Sequence, residues 1–158
     1  MIIAQEILTE TLIAEMLPLG QACFDESTLI KKDTCAYYGE RSFAVEPDVE
    51  RYKALCKSGR MVLLTLRKET LKGYLIGFTY QSLHHRKILC ASVDSIYIQP
   101  EYRSYTAVLC EKFEQAMDDL YVEIIGWPTH IDGPVYQVLK ARGYVGDDVI
   151  MEKRLGPR

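Results

Sequence analysis

Apolar and polar residues follow two different periods in the first part of the chain. Residues 2–9 form a short run that is typical of a strand. From Leu12 to Leu19, apolar residues recur at helical spacing, and Thr9 or Thr11 is available as the N-cap of a helix. Because proline lacks an amide hydrogen and crowds the preceding turn, we expect Pro18 to kink this helix or end it early.

The pattern is lost between Ser27 and Ala44, which predicts a long loop. A second helix is predicted after it, with Pro47 in its first turn and Gly59 at its end. Its apolar stripe is formed by Val49, Tyr52, Leu55 and Cys56.

The middle of the chain is rich in strand patterns. An apolar run and two longer segments of alternating character are separated by short polar turns, the second of which carries His84 and His85. We read these as a three-stranded antiparallel meander over residues 61–66, 71–80 and 87–98.

The last third combines helical periodicity with two more strands. An amphipathic helix is predicted over residues 107–120 and a β-branched strand over 121–127. A further helix opens at residues 132–134 and is closed by Gly143, and residues 144–154 supply a last strand. The order of elements predicts a single α/β (α+β) domain over residues 1–158, with 155–158 as a loose tail.

The composition of the chain excludes some classes of function. The chain has 158 residues, 48% hydrophobic and 26% charged, which suits one globular domain. A formal net charge of −3 without a basic stripe argues against a nucleic-acid partner.

The cysteines and the length of the apolar runs indicate the cellular compartment of the protein. There are five cysteines, an odd number, and no two are spaced as CxxC. Free cysteines in apolar patterns indicate a reducing compartment, so we expect a cytoplasmic protein. No apolar run approaches the roughly 20 residues that span a bilayer, so no membrane partner is expected. No carboxylate–histidine spacing predicts a metal site.

The run SIYIQPEYRS, residues 95–104, joins a strand to a helix through a proline turn. The free amides and the dipole at a helix N-terminus can bind an anion, and Arg103 adds a positive charge at that entrance. The segment therefore predicts a phosphate-binding site at the N-terminus of this helix.

The same run resembles the signature of the GNAT N-acetyltransferase superfamily, hydrophobic-x-V-x-P-E-Y-R-G. Downstream, DGPVYQVLKARGY resembles the second motif of that superfamily, an Asn-led helix that ends in Gly-Phe. Asp132 takes the Asn position, and Gly143-Tyr144 takes Gly-Phe. The element order agrees with the resemblance over nearly the whole chain.

The resemblance implies a GNAT-like mixed, mainly antiparallel central sheet with helices on both faces and a V-shaped splay between strands 4 and 5. The pantetheine arm of acetyl-CoA, the acyl donor, would insert there and pair with the backbone from Ile96 to Ile98. The Ile98 amide would polarise the thioester carbonyl. Asp132 belongs to the cofactor-binding candidates, and the pyrophosphate would rest on the amides of Arg103, Ser104, Tyr105, Thr106, Ala107 and Val108.

The chain departs from the superfamily pattern at two places. The loop of the superfamily carries glycines that let the backbone approach the pyrophosphate, and this chain has none. Either Thr106 and Val108 replace the glycines, or the loop is about two residues shorter. The tyrosine that often protonates the leaving thiolate is replaced by Leu139, which leaves Tyr136, one turn earlier, as the candidate acid.

Asp94 is the first candidate for a general base, since a buried carboxylate with a raised pKa could take a proton from an ammonium through water. A structural aspartate is the alternative. His130 is a second base candidate, and it joins Trp127 on the substrate side of the opening. Tyr37 and Tyr38, in the predicted long loop, either recognise the acceptor or anchor that loop.

Three functions are consistent with these residues. The first is an N-acetyltransferase that moves an acetyl group from acetyl-CoA to a primary amine on a small molecule or a protein. The second is a catalytically degenerate GNAT-fold protein that binds another protein, and the third is an acyl-CoA sensor. The fold that the resemblance implies occurs as a monomer and as a homodimer.

Overall fold

A computed structural model describes residues 1–31, 44–129 and 133–146 of the chain. Those residues form five strands, four α-helices and one 3₁₀ helix. In chain order they are β1 (Ile2–Gln5), α1 (Glu10–Lys31), α2 (Val49–Lys57), β2 (Met61–Arg67), β3 (Leu71–Gln81), β4 (Leu89–Ile98), the 3₁₀ helix (Pro100–Tyr105), α3 (Thr106–Asp119), β5 (Ile124–Gly126) and α4 (Pro134–Ala141).

The five strands form one sheet in the order β1-β2-β3-β4-β5. Neighbours from β1 to β4 pair antiparallel, and β5 pairs parallel to β4 after the crossover through α3. The antiparallel meander and the mixed, mainly antiparallel sheet predicted from the sequence are thereby confirmed.

Helices cover both faces of this sheet, and each face has its own apolar core. The core between α3 and the sheet contains fully buried side chains from both, among them Leu66 and Leu75 of the strands and Leu109, Phe113 and Met117 of α3. The opposite core, which includes Leu12, Leu63, Tyr74, Ile76 and Tyr97, lies under α1 and α2. Alternation along the strands sends successive side chains to opposite faces, so β2, β3 and β4 contribute to both cores.

Helix α1 is longer than the sequence pattern predicts. It begins after Thr9, whose hydroxyl accepts a hydrogen bond from the Leu12 amide at 3.2 Å, and it continues through Pro18 to Lys31. Of the two alternatives predicted for Pro18, a kink or an early end of the helix, the early end is therefore wrong. Leu12 and Leu19, 2% and 6% exposed, anchor the helix on the sheet at either side of the proline, and such packing outweighs one lost hydrogen bond.

The two predicted glycine helix ends are confirmed, since Gly59 (φ +69°) and Gly143 (φ +88°) follow α2 and α4 in the left-handed region. At the start of α2, Asp48 is the N-cap, and its carboxylate accepts from the Arg51 amide at 3.1 Å. Pro47 stands just outside the helix.

Strand β5 is shorter than the predicted 121–127. Tyr121 has a φ of +60° and closes α3, and the next amide, that of Val122, donates back to the Met117 carbonyl at 3.0 Å. The start of the β-branched run is thus used as a helix cap. Residues 144–146 form no strand, and the rest of the predicted last strand lies outside the described residues. Within the described ranges, no helix combines the length and apolar character needed to cross a bilayer.

Candidate functional site

Strands β4 and β5 are paired over only three residues. The pairs are Cys90–Ile124, Ala91–Ile125 and Ser92–Gly126. β4 then continues for six more residues, from Val93 to Ile98, along which its outer edge has no strand partner among the described residues. This bare edge, which we call the β4 edge, lies where the V-shaped opening is predicted.

Two backbone amides of the β4 edge point away from β3. The Gln99 amide donates to the Lys72 carbonyl at 2.9 Å, which makes these two residues a hydrogen-bonded pair. Hydrogen-bonded and non-hydrogen-bonded pairs alternate in an antiparallel ladder, so the Ile98 N–H, opposite Gly73, turns outward. The Ile96 N–H turns outward for the same reason. Both predicted donor-binding amides are thus on the open side of the sheet.

The two carbonyls of the same edge already have partners. The Cys23 thiol on α1 donates to the Ile96 carbonyl at 3.7 Å, and the Arg103 Nε donates to the Ile98 carbonyl at 3.3 Å. The edge is therefore available to a ligand through its amides more than through its carbonyls.

Arg103, which the sequence predicts to add a positive charge at an anion site, is paired with an acid in the structure. Its guanidinium forms an ion pair with Glu26 on α1. The other Glu26 carboxylate oxygen accepts a hydrogen bond from the Tyr97 hydroxyl at 2.9 Å. Burial, followed by this contact with Glu26, raises the pKa of Tyr97. The charge of Arg103 is thus largely neutralised within the protein.

The predicted pyrophosphate loop, residues 103–108, is helical: its first half ends the 3₁₀ helix and its second half begins α3. The amides of the 3₁₀ helix bond to carbonyls three residues earlier, as the bonds from Tyr102 to Gln99 (2.9 Å) and from Thr106 to Arg103 show at its two ends. The Thr106 hydroxyl donates to the same Arg103 carbonyl at 2.7 Å. The absence of a separate loop favours the shorter-loop alternative, and most of the predicted phosphate-binding amides are engaged by the backbone.

Asp94 lies at a β-bulge. Ile76 pairs with Ser95 and Gly77 with Val93, so Asp94 is the extra residue on β4. Its side chain is exposed rather than buried as predicted, and its carboxylate accepts a hydrogen bond from the Tyr52 hydroxyl at 2.7 Å. Burial, reinforced by the neighbouring carboxylate, strongly raises the pKa of Tyr52, which therefore stays protonated as a donor at neutral pH.

An apolar cavity of about 290 Å³ adjoins this pair. It lies under α1 and α2, and Tyr52, Tyr74 and Ser95 provide its polar wall. The hydroxyls of Tyr74 and Ser95 are 3.2 Å apart and hydrogen-bonded. Burial raises the pKa of Tyr74 to about 12, so this hydroxyl also stays neutral.

The remaining candidates are found on the other face or outside the described residues. Trp127 packs edge-on against Phe113 and Tyr144 in the core under α3. Tyr136 lies beneath the Lys140 ammonium, 5.8 Å from its ring centroid. Leu139, which stands where the superfamily has tyrosine, is buried. The candidates on which no structural statement is made, because they lie outside the described residues, are Tyr37, Tyr38, His130 and Asp132.

Sequence reasoning missed the residues that surround Asp94. The sequence pattern places Tyr52 only in the apolar stripe of α2, although its hydroxyl reaches across to Asp94 on β4. Tyr74 and Ser95 belong to strand patterns that predict burial and nothing more. The one signal that could have pointed to them is the excess of tyrosine, eleven against four phenylalanines, since tyrosine suits a wall that is apolar on one side and polar at its tip.

Comparison with known proteins places the fold. No protein-family model matches the chain, and no curated protein matches it by sequence. Among solved structures, a tetramutant of the BH1408 protein from Bacillus halodurans superposes with a TM-score of 0.76 at 14% identity, over 98% of this chain and 100% of that one. A ribosomal-protein-alanine N-acetyltransferase from Brucella melitensis gives 0.62 at 15%, over 98% and 99%. A glucosamine-6-phosphate N-acetyltransferase from Arabidopsis thaliana gives 0.68 at 8%, over 99% and 100%. The chain therefore has the GNAT fold.

Proposed function

We propose that this protein is an N-acetyltransferase that moves an acetyl group from acetyl-CoA to a primary amine. The observation that carries the proposal is the β4 edge, where the outward amides of Ile96 and Ile98 stand within a few residues of the Asp94 carboxylate. The likeness of the fold to N-acetyltransferases of low identity supports it.

The reaction uses two groups of this chain. The thioester carbonyl of the donor accepts a hydrogen bond from the Ile98 amide, which stabilises the negative charge that develops on that oxygen. Asp94 takes a proton from the acceptor ammonium, directly or through water, and frees the amine to attack. The C–N bond forms, the C–S bond breaks, and the coenzyme A thiolate leaves and takes up a proton.

Asp94 suits this role by position. An exposed carboxylate at a bulge can meet an incoming cation without the cost of burying a charge. The neutral Tyr52 hydroxyl fixes its orientation through the 2.7 Å hydrogen bond. Tyr136 stays the candidate acid, although a thiolate needs little help to leave.

The test is thiol release from acetyl-CoA with a panel of primary amines. We expect amine-dependent release that Asp94→Asn lowers by about 10²–10⁴-fold in kcat/KM, the usual range for a general base. Asp119→Asn, at the C-terminal end of α3, is the matched control and should be unchanged. Release without any amine dependence, or an Asp94→Asn variant as active as the control, would contradict the proposal.

A catalytically degenerate protein with this fold that binds another protein is the second candidate. The engaged amides of the 3₁₀ helix and the Arg103–Glu26 ion pair favour it, because both reduce what the site offers to the diphosphate of a donor. Copurification of a stoichiometric protein partner, without saturable binding of acetyl-CoA, would select this function.

A further inference from the structure

The apolar cavity under α1 and α2 is partly open to solvent, as a ligand site must be. Its volume of about 290 Å³ is just below the range of about 300–1,000 Å³ that ligand sites occupy. Its wall is formed mostly by aliphatic side chains and one phenylalanine, among them Ile13, Met16, Leu17, Val49 and Phe24.

The polar groups of the cavity are gathered at β4. The Tyr52 hydroxyl donates to Asp94, and the Tyr74 hydroxyl is bonded to Ser95. A ligand that fills the cavity thus has its body against aliphatic side chains and one end at these hydroxyls, where the Asp94 carboxylate, just outside the cavity wall, accepts from Tyr52. That end suits a cation, since a carboxylate accepts hydrogen bonds and favours positive charge.

The cavity also adjoins the β4 edge. Cys23 belongs to its wall, and the thiol of the same residue contacts the Ile96 carbonyl. A thioester held by the outward amides of Ile96 and Ile98 would therefore be a neighbour of a ligand in the cavity.

From this arrangement we infer that the acceptor is a small primary amine with an apolar, aliphatic or aryl body, which enters the cavity while its ammonium meets Asp94. The inference rests on the proposed function and names its substrate class. A longer acyl chain on the donor would also suit apolar walls, but it has no polar group for the hydroxyls of Tyr52, Tyr74 and Ser95 at the end of the cavity.

Binding tests the inference without any donor present. The free protein is titrated calorimetrically with 2-phenylethylamine, 2-phenylethanol and ethanolamine. We expect saturable binding of 2-phenylethylamine, at least about tenfold tighter than either of the other two, a factor that corresponds to about 1.4 kcal/mol. Equal or tighter binding of ethanolamine would overturn the inference.

A variant that fills the cavity supplies the second arm. A Cβ at Gly20 on α1 would stand 3.5 Å from the Tyr74 hydroxyl and 3.8 Å from Val45, both ordinary contacts. Gly20→Ala should therefore be tolerated and keep most of the 2-phenylethylamine binding as the matched control, while Gly20→Leu, which places three more carbons in the cavity, should weaken it at least about tenfold. Thermal unfolding checks that both variants are folded. If Gly20→Leu does not fold, Asp94→Asn, which should remove the preference for amine over alcohol, decides in its place.

Measurements of turnover distinguish a failure of this inference from a failure of the proposed function. Binding of 2-phenylethylamine without thiol release from acetyl-CoA would leave the cavity assignment standing and overturn the transfer reaction. Thiol release with ethanolamine but not with 2-phenylethylamine would overturn the cavity assignment and leave the transfer reaction standing. A marked preference for hexanoyl-CoA over acetyl-CoA with small amines would assign the cavity to the acyl chain and overturn the inference.

Discussion

Gly77 has no Cβ, and this lets the ring of Phe113 pack directly against the backbone of β3. A Cβ built there would stand 2.3 Å from Cζ of Phe113 and 2.6 Å from its Cε2. Phe113 is fully buried, so its ring cannot swing into solvent. Gly77 also pairs next to the bulge that carries Asp94, and the close approach of the ring therefore coincides with the bend of the sheet at the candidate site.

Gly77→Ala is expected to destabilise the protein by about 1–3 kcal/mol, because the added methyl group overpacks the core against Phe113. The free energy of unfolding is measured by urea denaturation. Gly126→Ala is the control, since a Cβ there meets only the Ala91 carbonyl at 3.7 Å. A Gly77→Ala variant as stable as the control would show that Phe113 does not occupy this position.

Among the elements, the 3₁₀ helix and α3 differ most from what the superfamily resemblance implies. A helix N-terminus binds phosphate because its first amides are free. Here the 3₁₀ turn before α3 uses amides internally, and Arg103 is paired with Glu26. The β4 edge keeps its outward amides. The donor is thus expected to be held more by its pantetheine arm than by its diphosphate.

S-acetylpantetheine should therefore replace acetyl-CoA as donor with a kcat/KM within about tenfold, a loss of no more than about 1.4 kcal/mol of transition-state stabilisation. The two donors are compared in the same thiol-release assay at a fixed amine concentration. A loss of several hundredfold would mean that the 3₁₀ turn opens to bind the diphosphate.

The sequence predicts those elements whose pattern is local. The meander follows from alternation along β2, β3 and β4, and the ends of α2 and α4 follow from their glycines. The sequence pattern predicts α1 too short, because the continuation of this helix past Pro18 depends on burial against the sheet, which no local pattern contains. β5 was predicted too long because Tyr121 is used as a cap.

The candidate site, too, could be predicted from the sequence only in part. Asp94 and Ile98 could be placed from their order along one strand. The contact of Asp94 with Tyr52 joins residues 42 positions apart, and that of Arg103 with Glu26 joins residues 77 apart. Contacts at such separations arise only when helices pack on the sheet, so single-sequence reasoning could name the residues but not their partners.

At the scale of the whole molecule, the chain after β5 is tied to α3 by an ion pair. Arg142, just after α4, binds the Glu114 carboxylate of α3 with two donors, Nε to Oε1 at 2.9 Å and Nη2 to Oε2. Both side chains are about three-quarters buried, at 25% and 28% exposure, so solvent screens the pair only in part. This contact fixes the position of α4, which carries Tyr136, against the rest of the domain.

The ion pair predicts how stability depends on pH. The Arg142 guanidinium holds the pKa of Glu114 below its ordinary value of 4.5. The pair therefore contributes stability in full above that value and loses it as the pH falls through the lower pKa of the folded state. Glu114→Gln should lower the free energy of unfolding by about 1–2 kcal/mol at pH 7, the scale of a charge-assisted hydrogen bond. The difference should shrink as the pH falls below 4.5. Urea denaturation of both proteins at pH 7 and pH 3 measures it, with the exposed Glu123→Gln as control. An unchanged difference at pH 3 would show that Glu114 acts through packing and not through its charge.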